Sequence, residues 1–153
     1  MKIKYVVVSW HHHNTLKIAK EMGSITESSI SDVKDIKVEE LNDYDLIGFG
    51  AGIDSGKHYK ELLAFATTLP KVNNKKCFIF STAGVYTYKK MLKDHKALNT
   101  ILTDKGYQVI GDYSCLGFNT NVFLKYIGGI NKTRPNQNDF DNAKNFVKSL
   151  ITE

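Results

Sequence analysis

The stretch Ser9-Trp10-His11-His12-His13-Asn14-Thr15 most constrains how this chain can fold. It follows a buried-type strand, Ile3-Lys4-Tyr5-Val6-Val7-Val8, and runs straight into a helical pattern, Leu16 to Met22. A strand that turns through hydroxyl, amide and imidazole groups into a helix makes an anion site. The free N–H groups of the first helical turn point at the ligand, and the helix dipole favours negative charge there. Asn14 or Thr15 is expected to cap the helix, with Ser9 and the histidines as further donors. The loop has neither the glycines of G-x-G-x-x-G nor a Gly-Lys-Ser/Thr ending, which excludes the two best-known nucleotide motifs. Adjacent histidines on a turn converge poorly on one ion, and no Cys, Asp or Glu stands at ligand spacing, so no metal site is expected. The competing reading of the same residues is a solvated polar turn.

The pattern beyond this loop alternates strand-like runs with helical ones. After the first strand (2–9) and first helix (14–22), a short polar edge strand is expected near 28–33 and a helical turn at 38–41. A third strand covers 45–50, and a helix from about Tyr59 to Leu69 is stopped by Pro70. A fourth strand spans 76–81. A long helix runs from about Tyr88 to Lys105 and ends at Gly106, a natural residue for the position after a C-cap. A fifth strand (107–114), a glycine-containing irregular stretch and a last helix (138–151) complete the chain. Five strands alternating with helices predict an α/β fold, a doubly wound parallel sheet in one domain spanning 1–153.

In such sheets ligands bind outside the carboxyl ends of the strands, where the strand order reverses. The segments after strands one, three and four agree, being rich in small and polar residues. They are Ser9 to Thr15, Gly50-Ala51-Gly52-Ile53-Asp54-Ser55-Gly56, and Ser81-Thr82-Ala83-Gly84. Tight structural turns would account for one such loop; three on the same sheet edge point to a site.

Charge and cysteines narrow the class. The net charge is +5, but acidic residues crowd 27–45 while lysines follow later, at Lys57, Lys60, Lys89, Lys90, Lys93, Lys96, Lys125 and Lys132, with Arg134. A basic face can meet nucleic acid or an acidic protein, or be a solvated helix face. No helix-turn-helix, RNP or zinc-knuckle pattern accompanies it, so no nucleic acid partner is expected. No apolar run reaches membrane-spanning length and no signal-peptide core opens the chain, so no membrane contact and a cytoplasmic location are expected. Cys77 and Cys115 are too few and too far apart for a disulfide scaffold or a C-x-x-C motif, and read as buried inert thiols.

These residues resemble the flavodoxin family over nearly the whole chain. They are most similar to a subgroup with a Ser-x-His-His-x-Asn-Thr phosphate loop. Asp45-Leu46-Ile47-Gly48-Phe49-Gly50-x-Gly52-Ile53, Gly56-Lys57-His58 and Phe80-Ser81-Thr82 carry the likeness. So do Cys115-x-Gly117-Phe118, Gly128-Gly129-Ile130-Asn131-Lys132 and Pro135-Asn136. The resemblance implies strand order 2-1-3-4-5 and FMN as cofactor. It implies that Ser9, Trp10, His11, His12, His13, Asn14 and Thr15 hold the 5′-phosphate. It places Ala51, Gly52, Ile53, Asp54, Ser55 and Gly56 against the isoalloxazine ring, with Ile53 as an apolar contact. Ser81, Thr82, Ala83 and Gly84 would follow the ribityl chain and the pyrimidine edge. Tyr86 or Tyr88 could offer an aromatic face, or serve only in helix packing or lie exposed at the surface. The family's usual hydroxyl-rich loop, Thr/Ser-x-Thr-Gly-x-Thr, is replaced here by imidazoles, and His13 stands where a small or flexible residue is frequent. The strongly acidic rim of many flavodoxins is also missing.

The implied function is an FMN-binding electron carrier between redox protein partners, acidic proteins included, working as a monomer. No catalytic residue is needed, because the cofactor supplies the redox chemistry. The alternative is an FMN-dependent NAD(P)H:quinone-type reductase, with a pocket above the flavin that only the segment 116–134 could build. A flavin-free interaction domain on the same fold is a third class, against which the intact loops argue.

Overall fold

The computed structural model describes residues 1–10, 12–118 and 129–153. His11, Lys125, Gly128 and the middle of the 116–134 segment lie outside the described residues.

The elements follow the expected order. They are β1 (Lys2–Val8), α1 (Asn14–Gly23), β2 (Glu27–Asp32), a 3-10 turn (Val38–Asp43), β3 (Leu46–Asp54), β4 (Lys57–His58) and α2 (Lys60–Thr68). β5 (Lys75–Ala83), α3 (Tyr88–Asp104), β6 (Tyr107–Leu116) and α4 (Gln137–Thr152) follow among the described residues. The five long strands are parallel and ordered β2-β1-β3-β5-β6. Without β4 this is the order 2-1-3-4-5. Among the described residues, β4 is the strand that the apolar pattern does not announce: it folds back antiparallel on the end of β3, pairing Asp54 with Lys57. Both residues of the connecting turn have positive φ, Ser55 at 52° and Gly56 at 77°. That is the two-residue hairpin whose twist suits paired strands, and Gly56 is where glycine's freedom is used. The expected loop 50–56 is therefore largely strand and hairpin.

The sheet is apolar on both faces, as a covered parallel sheet must be. One face packs α2 and α3 on Val6, Val8, Ile47, Phe49, Cys77 and Ile79. The other packs α1 and α4 on Ile3, Tyr5, Val7, Phe78 and Phe80. β2 lies at the sheet edge as expected, with mostly half-exposed polar residues. Both thiols are free and buried, and burial pushes Cys77 and Cys115 up to about 12, as inert core sulfurs.

β6 carries an irregularity with consequences. Its register against β5 steps from Cys77↔Val109 to Ile79↔Asp112, so one residue of β5 faces two of β6, Ile110 and Gly111. Such a bulge reverses which face each later side chain takes. Tyr107 and Val109 pack on the α3 face; after the bulge Tyr113 and Cys115 pack on the α4 face. Asp112 and Ser114 are thereby turned to the α3 side, where both enter hydrogen bonds with α3 or its neighbours.

Candidate functional site

The parallel strands end together: Val8 pairs with Ala51, Gly52 with Thr82 and Ala83 with Leu116. The segments that leave them enclose a cavity of about 570 Å³ at that edge, within the range of small-ligand sites. Its walls are Trp10, Asn14 and Thr15 after β1, Ile53 to Ser55 and Lys57 to Lys60 around the hairpin, and Thr82 to Gly84 after β5. Glu61, Leu63, Gly117 and Phe118 complete it.

The floor lies at the start of α1. Neither Asn14 nor Thr15 caps this helix, contrary to expectation. The residue before it, His13, has φ 54° and makes no side-chain cap. Ser9 acts instead, accepting the Leu16 amide at 3.1 Å across the turn. This leaves the Asn14 and Thr15 amides without a partner among the described residues. Asn14 faces the other wall, its amide donating to the Phe118 carbonyl at 2.8 Å while its Oδ1 is buried with no partner among the described residues. Gly117 makes room for this: a Cβ there would stand 2.6 Å from Asn14 Nδ2. Thr15 and Thr82 share a buried hydroxyl contact of 2.9 Å. One donates to the other, so one hydroxyl hydrogen is left for a ligand.

Of the predicted phosphate-loop residues, Trp10, Asn14 and Thr15 line the cavity. His13 is exposed, and His12 is half-buried with its ring 3.9 Å from that of Phe118. In the second segment Ile53, Asp54 and Ser55 line it, whereas Ala51 is fully buried in the core. Gly52 is buried against Tyr59, and Gly56 forms the hairpin tip. In the third, Thr82, Ala83 and Gly84 line the cavity, but Ser81 is fully buried with its hydroxyl turned to His95 and Ser114.

Among the described residues, Trp10, Tyr59 and Phe118 are the large aromatic rings in the wall, beside the His58 imidazole. Trp10 and Tyr59 have centroids 5.4 Å apart at 33°, and Trp10 is 47% exposed. Tyr86 and Tyr88 instead face a second depression beside Asp112 and Arg134. Nothing in the residue types of Tyr59 and Phe118 alone marks them as aromatic walls. Their signal was their position, one residue beyond Gly56-Lys57-His58 and one beyond Gly117. The Tyr59 hydroxyl is raised by burial, and further by Asp54 and Glu61. His58, also in the wall, is 1% exposed and donates from Nε2 to the Phe80 carbonyl at 3.2 Å. Burial first, and then the neighbouring His95, lower it to about 3, so its ring is neutral.

A family model described as a flavodoxin domain matches residues 5–127. An uncharacterized protein of Methanocaldococcus jannaschii is 41% identical over 151 residues, covering 99% of each chain. Among solved structures, oxidised Flavodoxin 1 from Bacillus cereus matches at TM-score 0.72 and 18% identity, over 100% of this chain and 99% of that one. A Fusobacterium nucleatum flavodoxin bound to flavin mononucleotide matches at 0.69 and 11% identity, over 99% and 97%.

Proposed function

This chain belongs to the flavodoxin family, and on that premise we propose that its cavity binds FMN and that the protein carries electrons between redox partners. The observation that carries the reading is the cavity itself. It joins a helix N-terminus, hydroxyl and amide donors and aromatic walls at one sheet edge. That set fits a ligand with an anionic end, a polar chain and a flat ring. FMN supplies the one- and two-electron chemistry when bound. The Asn14 and Thr15 amides and the Ser9, Thr15 and Thr82 hydroxyls would hold the phosphate and the polar chain. Trp10, Tyr59 and Ile53 would exclude water from the ring. No side chain is required as acid, base or nucleophile.

The partner side of the cavity is mixed rather than uniformly basic. Lys57 and Lys60 stand on the rim beside Asp54 and Glu61, and Lys90 is held by Asp94. An acidic redox protein approaching there would meet Lys57, Lys60 and Lys89 first. No helix among the described residues is long and apolar enough to cross a membrane, and we place the protein in the cytoplasm.

The test is titration with FMN and with riboflavin, followed by flavin fluorescence. FMN binds one per chain, and riboflavin binds on the order of a hundredfold more weakly, because it lacks the charge-assisted bonds of the phosphate. Equal affinities overturn the assignment. Stopped-flow mixing of the FMN complex with NADPH then gives slow reduction for a carrier; rapid reduction would make it a reductase.

A further inference from the structure

Behind the cavity wall lies a buried polar chain that electron carriage through a flavin does not require. His95, 1% exposed in the middle of α3, stands with Nδ1 2.7 Å from Asp112 Oδ1 and Nε2 2.8 Å from Ser81 Oγ. Ser81 Oγ donates to Ser114 Oγ at 2.9 Å. The chain spans α3, β5 and β6, and it exists only because the bulge at Ile110–Gly111 turns Asp112 and Ser114 to the α3 face. Bulges of this kind re-aim side chains where function needs them.

Hydrogen counting shows what the arrangement can do. A hydroxyl has one hydrogen to donate. While Ser81 gives its hydrogen to Ser114, His95 must carry a hydrogen on Nε2 to meet Ser81. It carries another on Nδ1 to meet the Asp112 carboxylate. That is an imidazolium paired with a carboxylate. When Nε2 loses its proton, the Ser81 hydroxyl turns to it, and Nδ1–H stays on Asp112. Both protonation states are thus satisfied with every heavy atom in place, and burial penalises neither with an unmade bond.

The chain reaches both the ligand cavity and the solvent. The His58 ring, part of the cavity wall, lies 4.8 Å from the His95 ring at 42°. At the other end the Asp112 side chain is 19% exposed and borders the second depression. Among the described residues, the other ionisable groups around His95 are accounted for. On β4, His58 is held neutral by its burial. On β5, Cys77 is a protonated thiol, raised by burial and by Asp112. On α3, Asp94 is paired with Lys90. His95 is left as the place where a proton can be added.

We propose that His95 is a redox-linked proton site, taking a proton from water when an electron enters the neighbouring cavity and releasing it when the electron leaves. The inference rests on the cavity being the FMN site. The electron comes from the protein's redox donor. The proton comes from bulk water by way of the Ser114 hydroxyl, which borders the second depression, and the Ser81 hydroxyl: an O–H bond of hydronium breaks, each hydroxyl passes on one hydrogen as it gains one, and the one new bond is Nε2–H on His95. A neutral His95 beside ionised Asp112 gives the chain one negative charge. A second negative charge arriving across the His58 ring favours the imidazolium, in a site too dry for water to screen the repulsion.

The experiment uses the full chain with ¹⁵N-labelled histidine and FMN. The His95 ring nitrogens, assigned by loss of their signals in His95→Gln, are followed by NMR across a pH series in the oxidised and dithionite-reduced states. The proton affinity of His95 is expected to be about tenfold higher in the reduced state. Asp112→Asn, which keeps the shape and removes the charge, should lower that affinity in both states. The midpoint potential of His95→Gln should depend less steeply on pH than the parent's. An identical His95 titration in both redox states overturns the proposal, as does a potential–pH curve of His95→Gln that overlays the parent's. If His95→Gln does not fold, an Asp112→Asn titration that overlays the parent's refutes the chain. Failure to bind FMN at all, seen in the absorbance spectrum, overturns the cofactor reading and this inference together. FMN binding with an unresponsive His95 overturns only this one.

Discussion

His58 makes the pH dependence of stability a sharp test of how the cavity wall is built. Its ring is buried, donates to the Phe80 carbonyl, and has no described partner at Nδ1. A second proton would have nowhere to go, and the folded-state value is lowered to about 3 from 6.5. Between those limits the unfolded chain binds a proton that the folded chain refuses. Stability is therefore fully present above about pH 6.5, falls as pH drops below it, and stops falling on this account below about pH 3. The limiting slope is about 1.4 kcal/mol per pH unit. The loss is then about 1 kcal/mol near pH 5.5 and about 3 kcal/mol near pH 4.5. That is a large share of the roughly 5–15 kcal/mol a domain of ordinary stability has to lose. Carboxylates that titrate in the same range add their own slope, so the parent alone decides nothing. The comparison is with His58→Gln, whose amide can still donate to the Phe80 carbonyl but does not titrate. Its replacement costs about 1–2 kcal/mol near pH 7.5 through imperfect packing. Urea unfolding of parent and variant, followed by circular dichroism at four pH values from about 7.5 to 4.5, should show the two curves converging as pH falls, and crossing if the packing cost is small. Parallel curves would refute the argument, because they would mean that His58 takes its proton without disturbing the fold.

Three further outcomes follow from the site's geometry. Ser9→Ala removes the acceptor of the Leu16 amide and should lower stability by about 1 kcal/mol in thermal unfolding; an unchanged midpoint would show that water caps the helix equally well. Gly117→Ala puts a Cβ 2.6 Å from Asn14 Nδ2. It should weaken FMN binding by about tenfold by pushing Asn14 off the Phe118 carbonyl, and undiminished affinity would show that Asn14 is not needed in its present place. Reversal of Lys57, Lys60 and Lys89 to Glu should slow electron transfer to an acidic ferredoxin and remove its decline with added salt. A parent rate that does not fall with ionic strength would sink the steering idea.

Much of the fold was legible because its signals are local. The runs around Val6, Phe49 and Ile79 are continuous and apolar, as strands covered on both faces must be, and Gly106 marked the end of α3 where it adopts φ 91°. The polar loop after β1 announced a ligand edge for the same reason. What escaped depended on contacts between residues far apart in sequence. Asn14 and Thr15 are good capping residues by type, but Asn14 reaches Phe118 and Thr15 reaches Thr82. With both occupied across the cavity, capping falls to Ser9, a partner no neighbouring-residue rule would select. Ser81 sat in a glycine-bearing loop motif and read as a ligand contact. In strand alternation it shares the parity of Cys77 and Ile79, which places it on the α3 face, under the cavity rather than in it.

Two weaker signals for the buried chain were present and can be given physical content. α3 buries Met91, Asp94, His95, Leu98 and Leu102. An ionisable pair in the middle of an otherwise apolar helical stripe is costly unless something opposite satisfies it. The missing partners could not come from simple alternation along β6, because even pairing would have sent Asp112 and Ser114 to the α4 side with Ile110. Gly111, inside a strand pattern, is the residue that often marks a bulge. Taken together, a buried polar pair on a helix and a glycine that can change a strand's parity make a single deduction. Alternate side chains after that glycine, starting with Asp112, must turn toward α3, and Asp112 is a carboxylate that can satisfy His95.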